Sequence, residues 1–302
     1  MSQLNHTTES VPLGKSGISV GPIAWGMWRF GQSSVRDAQA LIEAALEAGV
    51  TLFDTADIYG FDGAGGFGDA EALLGRLFAE VPALRDRMVL ATKGGILPPL
   101  PYDSSPAYLL QALDDSLRRL GVEQVDLYQI HRPDILTHPQ EVARTLEDMV
   151  QAGKVRAIGV SNYTPAQIRA LKAHLDLPLA SHQPEYSPLH LEPLENGLFD
   201  QALELDMAVL AWSPLGGGRI ADPQDERALR VAAALDVKAA ESGASRAAVT
   251  YSWIMAHPAR PIPIVGTQTV ARVADIAAAR AIRWTRQQWY DVLVAARGER
   301  LP

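Results

Sequence analysis

Short, continuously apolar runs alternate with amphipathic stretches along most of the chain. In Ser34 to Ala48, Leu41, Ile42, Ala45 and Leu46 share one helical face, with Ser34 placed to cap the start and Gly49 to end it; the apolar run Val50 to Asp54 follows at once. The alternation recurs as helix Ala70 to Ala79, strand Met88 to Thr92, helix Ala107 to Leu120, strand Val125 to Ile130, helix Gln140 to Ala152 and strand Val155 to Val160. It continues with helix Pro165 to Ala173, strand Leu179 to Gln183, helix Gly197 to Leu205, strand Met207 to Trp212, two helical stretches within Glu226 to Ala256, strand Pro261 to Val265 and helix Val270 to Ala279. With a first strand near Ile23 to Trp28, the strands number about eight. Runs such as Met88-Val89-Leu90-Ala91 are apolar at every position, as expected of strands buried on both faces. Repeated strand–helix units make a parallel sheet, and this number predicts closure into an α/β fold, a (β/α)8 TIM barrel.

Two segments flank the repeats. Val11 to Ile23 reads as a hairpin turning at Gly14-Lys15-Ser16-Gly17. Trp284 to Leu293 reads as a C-terminal helix, with Trp289, Val292 and Leu293 on one face, packed over the barrel or closing its site. The expectation is one domain spanning residues 1–302. Two connections are long, Tyr59 to Asp69 and Gly94 to Ser105, and loops beyond strand C-termini are where such barrels place specificity.

Composition narrows the functional classes. A length of 302 residues suits one α/β barrel, and 47% hydrophobic residues supply its core. A net charge of −8 disfavours nucleic acid or an anionic membrane as partner, leaving small molecules. The absence of cysteine excludes a disulfide framework, a thiolate metal site and a cysteine nucleophile, and no metal is expected. The polar start, Met1 to Ser10, lacks an apolar leader core, and no run of eighteen apolar residues occurs, so the expected location is cytoplasmic. The expected state is a monomer or weak homo-oligomer.

Four polar residues, Asp54, Tyr59, Lys93 and His131, sit at or just past the ends of different apolar runs. In a parallel barrel such positions fall on one rim and converge. A phenol is a poor acid at neutral pH, but an ammonium beside it stabilises the phenolate; Lys93 is placed to supply one, and Asp54 to balance it. His131 offers a hydrogen bond to a substrate oxygen. Taken singly, a strand-end Asp is usually a cap and a rim His usually satisfied; as a set they point to chemistry. Gly63-Ala64-Gly65-Gly66-Phe67-Gly68 matches G-x-G-x-x-G, but the preceding strand ends near Asp54, too early for a strand-to-helix phosphate turn, so a loop is expected.

The segments Gly26-Met27-Trp28, Asp54-Thr55-Ala56-Asp57-Ile58-Tyr59-Gly60, Thr92-Lys93, Ile130-His131-Arg132-Pro133, Gly153 to Asn162 and Ala211-Trp212-Ser213-Pro214-Leu215-Gly216 together resemble the aldo-keto reductase superfamily. That resemblance covers nearly the whole chain. It implies reduction of an aldehyde or ketone with a nicotinamide cofactor, Tyr59 acting as general acid, Lys93 and Asp54 tuning it and His131 orienting the carbonyl. It also implies that Ser161, Asn162 and Gln183 hold the nicotinamide carboxamide, beside Gly26 and Met27, with Trp212 stacked on the ring and Ser213, Pro214, Leu215 and Gly217 at the pyrophosphate. Gly266, Thr267, Gln268, Arg272 and Asp275 would hold the adenosine end. Relatives often carry a basic residue where this chain has Gln268; Arg272 remains, so NADP(H) is favoured, with NAD(H) as the second cofactor. Trp28, Ile58, Tyr59, His131 and Arg132 would line the pocket for a small-molecule carbonyl substrate, unless Arg132 pairs with Asp134, the expected arrangement. Two other readings stand beside this one: a cofactor-holding regulatory or redox-sensing barrel with little turnover, and an aldolase or isomerase using Lys93 as a Schiff base.

Overall fold

In the computed structural model, which describes residues 3–4 and 9–301, eight parallel strands close on one another in sequence order. They are β1 (Ala24–Gly26), β2 (Leu52–Asp54), β3 (Val89–Gly94), β4 (Val125–Ile130), β5 (Val155–Ser161), β6 (Leu179–Gln183), β7 (Ala208–Ala211) and β8 (Ile262–Val265). Closure is made by β8 on β1, Ile264 lying opposite Ala24 and Val265 opposite Trp25, which removes any open edge. The fold is the (β/α)8 TIM barrel that the alternation predicts.

Strand alternation divides the apolar side chains between two cores. Trp25, Phe53, Leu90, Tyr128, Ile158 and Val209 belong to the large cluster between barrel and helices, whereas Ala24, Leu52, Ala91, Leu127, Ala157, Leu210 and Ile264 belong to a smaller inner cluster. The inner cluster also takes in Val11, Leu13, Ile18 and Val20 of the N-terminal hairpin, whose strands Val11–Pro12 and Ser19–Val20 pair antiparallel. The hairpin therefore plugs the barrel where its strands begin. Its seat is close: Gly14 has φ 54°, and a Cβ there would lie 2.5 Å from the Ala180 carbonyl oxygen.

Local signals explain where the helices start. Ser34 accepts from the Asp37 amide at the head of Val35–Glu47. Helices Pro106–Leu120, Pro139–Gln151 and Pro165–Lys172 each open on proline, whose missing N–H costs nothing in the first turn.

Several boundaries differ from the sequence expectation. β3 runs past Thr92 to Gly94, because Lys93 continues the strand with its charge paired inside the barrel. The stretch expected as one helix from Val270 opens as a 3-10 turn, Val270–Val273, before the α-helix Ala274–Ala281. Trp284 is in a short strand, Trp284–Thr285, paired with Gln3–Leu4, and the final helix is Arg286–Arg297, started by a Thr285–Gln288 capping box. Short helices at Ala83–Asp86 and Glu192–Glu195 carry too little pattern to be read in advance. The final helix packs on the outer layer: Trp289 stacks on Trp253 with centroids 4.7 Å apart and planes 8° apart, and each indole N–H donates to the other's carbonyl at 3.0 Å.

Candidate active site

Above the apolar floor, inward-facing positions turn polar. Asp54 ends β2, Lys93 lies in β3, Gln129 in β4, Ser161 ends β5, and Ser181 and Gln183 lie in β6. Lys93 is fully buried, which is tolerable only because its ammonium is surrounded by acceptors. Nζ donates to Asp54 Oδ2 at 2.7 Å, to the Thr55 carbonyl at 2.8 Å and to the Tyr59 hydroxyl at 3.2 Å. The other Asp54 oxygen accepts from Gln183 Nε2 at 3.0 Å and from Gln129 Nε2 at 3.4 Å, while Ser181 Oγ donates to Gln129 Oε1 at 3.1 Å. Gln129 and Ser181 were not anticipated. The available signal was in β4, where Gln129 shares the inward face with Leu127 and is polar in an otherwise apolar alternation.

Tyr59 is carried on a turn that is laced to β3: Thr55 N–H donates to the Ala91 carbonyl at 2.9 Å, Asp57 N–H to the Lys93 carbonyl at 3.0 Å, and Tyr59 N–H to the Ala56 carbonyl at 3.1 Å. His131 stands immediately after β4, its ring edge-on to Tyr59 with centroids 5.8 Å apart and an interplanar angle of 76°. Burial pulls the Lys93 ammonium down, but Asp54 and Tyr59 outweigh it and its pKa is raised, so the amine stays charged. A Schiff-base role, which needs a free amine, is opposed by that balance. Burial raises the Tyr59 phenol above its usual pKa, against the downward pull of Lys93. This corrects the direction expected from the ammonium alone: desolvation is the larger effect, and the phenol keeps its proton through neutral pH. His131 moves the other way, well below the usual imidazole range, through burial and then the charges of Lys93 and Arg132. Its neutral ring retains one N–H to donate.

Asn162, at φ 60° beyond β5, ties three strand ends together. Its Nδ2 donates to the His131 carbonyl at 3.1 Å and to Ser161 Oγ at 2.9 Å, and its Oδ1 accepts from the Trp212 indole at 3.0 Å. Ser161 Oγ in turn donates to the Gln183 carbonyl at 2.8 Å. Asp54, Tyr59, Lys93, His131, Ser161, Asn162, Gln183 and Trp212 thus form one connected set.

The remaining cofactor candidates lie around it. Met27, buried after β1, donates its N–H to the Asp54 carbonyl at 2.9 Å, and Gly26 faces Gly266, where an added Cβ would lie 3.7 Å from the Gly26 carbonyl oxygen. Ser213, at φ 54°, accepts from the Gly217 amide at 2.8 Å, folding Ser213, Pro214, Leu215 and Gly217 into a tight loop; an added Cβ at Gly217 would meet nothing. After β8, Thr267 Oγ1 accepts from the Thr269 amide at 3.2 Å and Arg272 is exposed. Asp275 accepts from Ser245 Oγ at 2.5 Å. Both polar atoms of the Gln268 amide are buried without a partner among the described residues, an unmet demand that a polar ligand here would satisfy.

At the rim, Trp28 is 62% exposed and Ile58 half-buried. The expected Arg132–Asp134 pair does not form. Asp134 instead accepts from the Ser104 amide at 3.0 Å, the Leu136 amide at 2.9 Å and Thr137 Oγ1 at 2.6 Å, and Arg132 places its guanidinium 5.9 Å from the centre of the Trp212 ring. The glycine-rich stretch is a loop: Asp62 accepts from the Ala64 and Gly65 amides at 2.9 Å each, and the next helix, Asp69–Glu80, starts far beyond the end of β2. No helix among the described residues is long and apolar enough to cross a membrane, and no cluster of metal-ligating side chains occurs among them.

Comparison with known proteins gives consistent matches. The profile of the aldo/keto reductase family matches residues 22–293. The 6-dehydroglucose reductase of Novosphingobium aromaticivorans is 61% identical over 292 residues, covering 96% of each chain. The 6-dehydroglucose reductase of Agrobacterium fabrum is 35% identical, covering 93% of this chain and 96% of its own. Among solved structures, glycerol dehydrogenase AKR11B4 from Gluconobacter oxydans superposes with a TM-score of 0.83 at 27% identity, covering 98% of each chain.

Proposed function

The chain belongs to the aldo/keto reductase family, and from that premise we propose that it is an NADPH-dependent reductase of sugar aldehydes, 6-dehydroglucose foremost, with Tyr59 as the proton donor. The observation that carries this reading is the single ammonium of Lys93 bound at once to Asp54 and to the Tyr59 hydroxyl, with His131 against the same phenol. When bound, the reduced nicotinamide supplies the hydride that the carbonyl carbon accepts. Tyr59 gives its proton to the carbonyl oxygen, so aldehyde, hydride and proton together become a primary alcohol. Lys93 stabilises the phenolate left behind, Asp54 keeps Lys93 charged, and His131, neutral, donates a hydrogen bond that orients the carbonyl.

The residues present suit a dinucleotide. Ser161, Asn162 and Gln183 would take the carboxamide, Trp212 the ring, and the Ser213–Gly217 loop with its open glycine the pyrophosphate. The unpartnered Gln268 amide, with Gly266, Thr267, Arg272 and Asp275, supports an adenosine site, and Arg272 favours a 2′-phosphate and hence NADP(H) over NAD(H). Substrate choice rests on the 61% identical relative and on Arg132, whose freedom from Asp134 leaves a guanidinium at the mouth for sugar hydroxyls. The test is cofactor oxidation with 6-dehydroglucose under NADPH and NADH. Turnover with NADPH is expected, falling by about 10²–10⁴-fold in Tyr59→Phe. Undiminished turnover in that variant removes Tyr59 from its role, and tight cofactor retention without reduction of any carbonyl favours the regulatory reading.

A further inference from the structure

Behind Tyr59 lies a second acid that this chemistry does not use. Asp57 is 1% exposed, and one of its oxygens, Oδ1, is buried without a partner. Its other oxygen accepts a long bond from the Tyr108 hydroxyl, 3.4 Å, which that hydroxyl shares with the Ile96 carbonyl at 3.2 Å, and the Ile58 amide next in the chain also points its N–H at the carboxyl. Five elements face the carboxyl: Gly94 on β3, Tyr128 on β4, Tyr108 and Arg119 on helix Pro106–Leu120, Glu71 on helix Asp69–Glu80, and Tyr59 on its own turn.

The charges around it do not balance for an ionised Asp57. Lys93 is committed to Asp54. Arg119 is committed to Glu71, also fully buried, through Nε at 2.8 Å and Nη2 at 2.7 Å, with Thr92 Oγ1 donating to the same carboxylate. Two carboxyls therefore share one guanidinium, and it bonds Glu71. An unpaired carboxylate at this depth is too costly to persist, whereas the neutral acid is tolerated. Gly94 leaves the room: a Cβ there would lie 2.2 Å from the Tyr128 hydroxyl and 3.3 Å from Asp57 Oδ2.

We propose that Asp57 is a positioning residue that remains a neutral carboxylic acid and, with Tyr108, struts the Tyr59 turn against the loop leaving β3. The strut joins three parts that must agree in position: the turn bearing Tyr59, the Ile96 end of the rim loop, and helix Pro106–Leu120. Burial, then the neighbouring Glu71, hold the Asp57 carboxyl well above the usual carboxylate range, in accord with this assignment. Because it is uncharged, it leaves Tyr59 answering to Lys93 and Asp54 alone.

The inference rests on Tyr59 as proton donor, and its test separates the two. Asp57→Ala lowers kcat by about 10-fold or more through misplacement of Tyr59, and Asp57→Asn, which imitates the neutral acid, restores it to within about threefold. Reduction slows at high pH as Tyr59 loses its proton, and a charged Asp57 would hold that limb at higher pH; in Asp57→Asn the limb stays where it is in the wild type. The infrared difference spectrum between wild type and Asp57→Asn at neutral pH shows the carbonyl stretch of a protonated acid. Tyr108→Phe, a milder variant should Asp57→Ala not fold, lowers kcat by about threefold or more. An Asn variant as slow as Ala, a limb displaced to lower pH, carboxylate bands in the spectrum, or a silent Tyr108→Phe each overturns the proposal. Should Tyr59→Phe retain full turnover, the proton-donor reading falls on that result, while the infrared measurement still reports the state of Asp57.

Discussion

Replacing Lys93 by Met separates the stabilising role of its buried ion pair from the part proposed for it in catalysis. The ammonium stands 3.2 Å from the Tyr59 hydroxyl, and at an effective dielectric of about 20 a full charge at that distance interacts with about 5 kcal/mol. With the proton half transferred, roughly half of that acts on the barrier, so kcat falls on the order of 100-fold. The same change strands the buried Asp54 carboxylate, and breaking a buried pair costs about 3–5 kcal/mol. For a chain of 302 residues that is a fall in melting temperature of roughly 5–8 °C. In the double variant Lys93→Met/Asp54→Asn both charges are gone, and the substituted amide retains a carbonyl oxygen to accept from Gln183. Stability then returns most of the way, while kcat stays about 100-fold down. Thermal unfolding and single-turnover reduction on the same preparations read the two effects. A double variant that regains rate together with stability would assign Lys93 a purely structural role and refute the reasoning.

Other outcomes follow from neighbouring features. Burial lowers the pKa of His182 to about 3, and neither ring nitrogen has a partner among the described residues. A depressed histidine pKa means the unfolded chain binds the extra proton first, so stability drops as pH falls below about 6.5, by up to about 1.4 kcal/mol per pH unit until the folded value is reached. His182→Leu therefore raises the melting temperature at pH 5 more than at pH 8; equal shifts at both would refute the titration argument. Gly94→Ala is destabilised by about 1–3 kcal/mol through the Tyr128 clash, and adding Tyr128→Phe recovers part of it, as denaturant titration would show. Arg132→Met raises KM for 6-dehydroglucose by about 10-fold, the equivalent of one charge-assisted hydrogen bond, with kcat and the KM for a simple apolar aldehyde unchanged.

The barrel was legible because closure demands strands apolar on both faces, and a run such as Met88-Val89-Leu90-Ala91 has no other use in a chain of this composition. Polar residues inside the barrel were the difficulty. Lys93 looked like the end of β3, since a charge normally marks solvent, and only its pairing with Asp54 lets the strand continue to Gly94. Gln129 and Ser181 were hidden for the same reason: their partners lie on other strands, and no local pattern reports a contact across the barrel. Asp134 is taken by backbone donors rather than by Arg132: the Ser104 and Leu136 amides reach it at no cost in side-chain freedom. Spacing carries no measure of burial, so the sequence points to a lowered Tyr59 pKa where burial in fact raises it.

The apolar cluster inside the barrel and the hairpin seated beneath it close the end where the strands begin, so among the described residues the polar layer around Lys93 opens toward the rim where the strands end. Reactants and products of the proposed reaction would then share one entrance and exchange through it in turn.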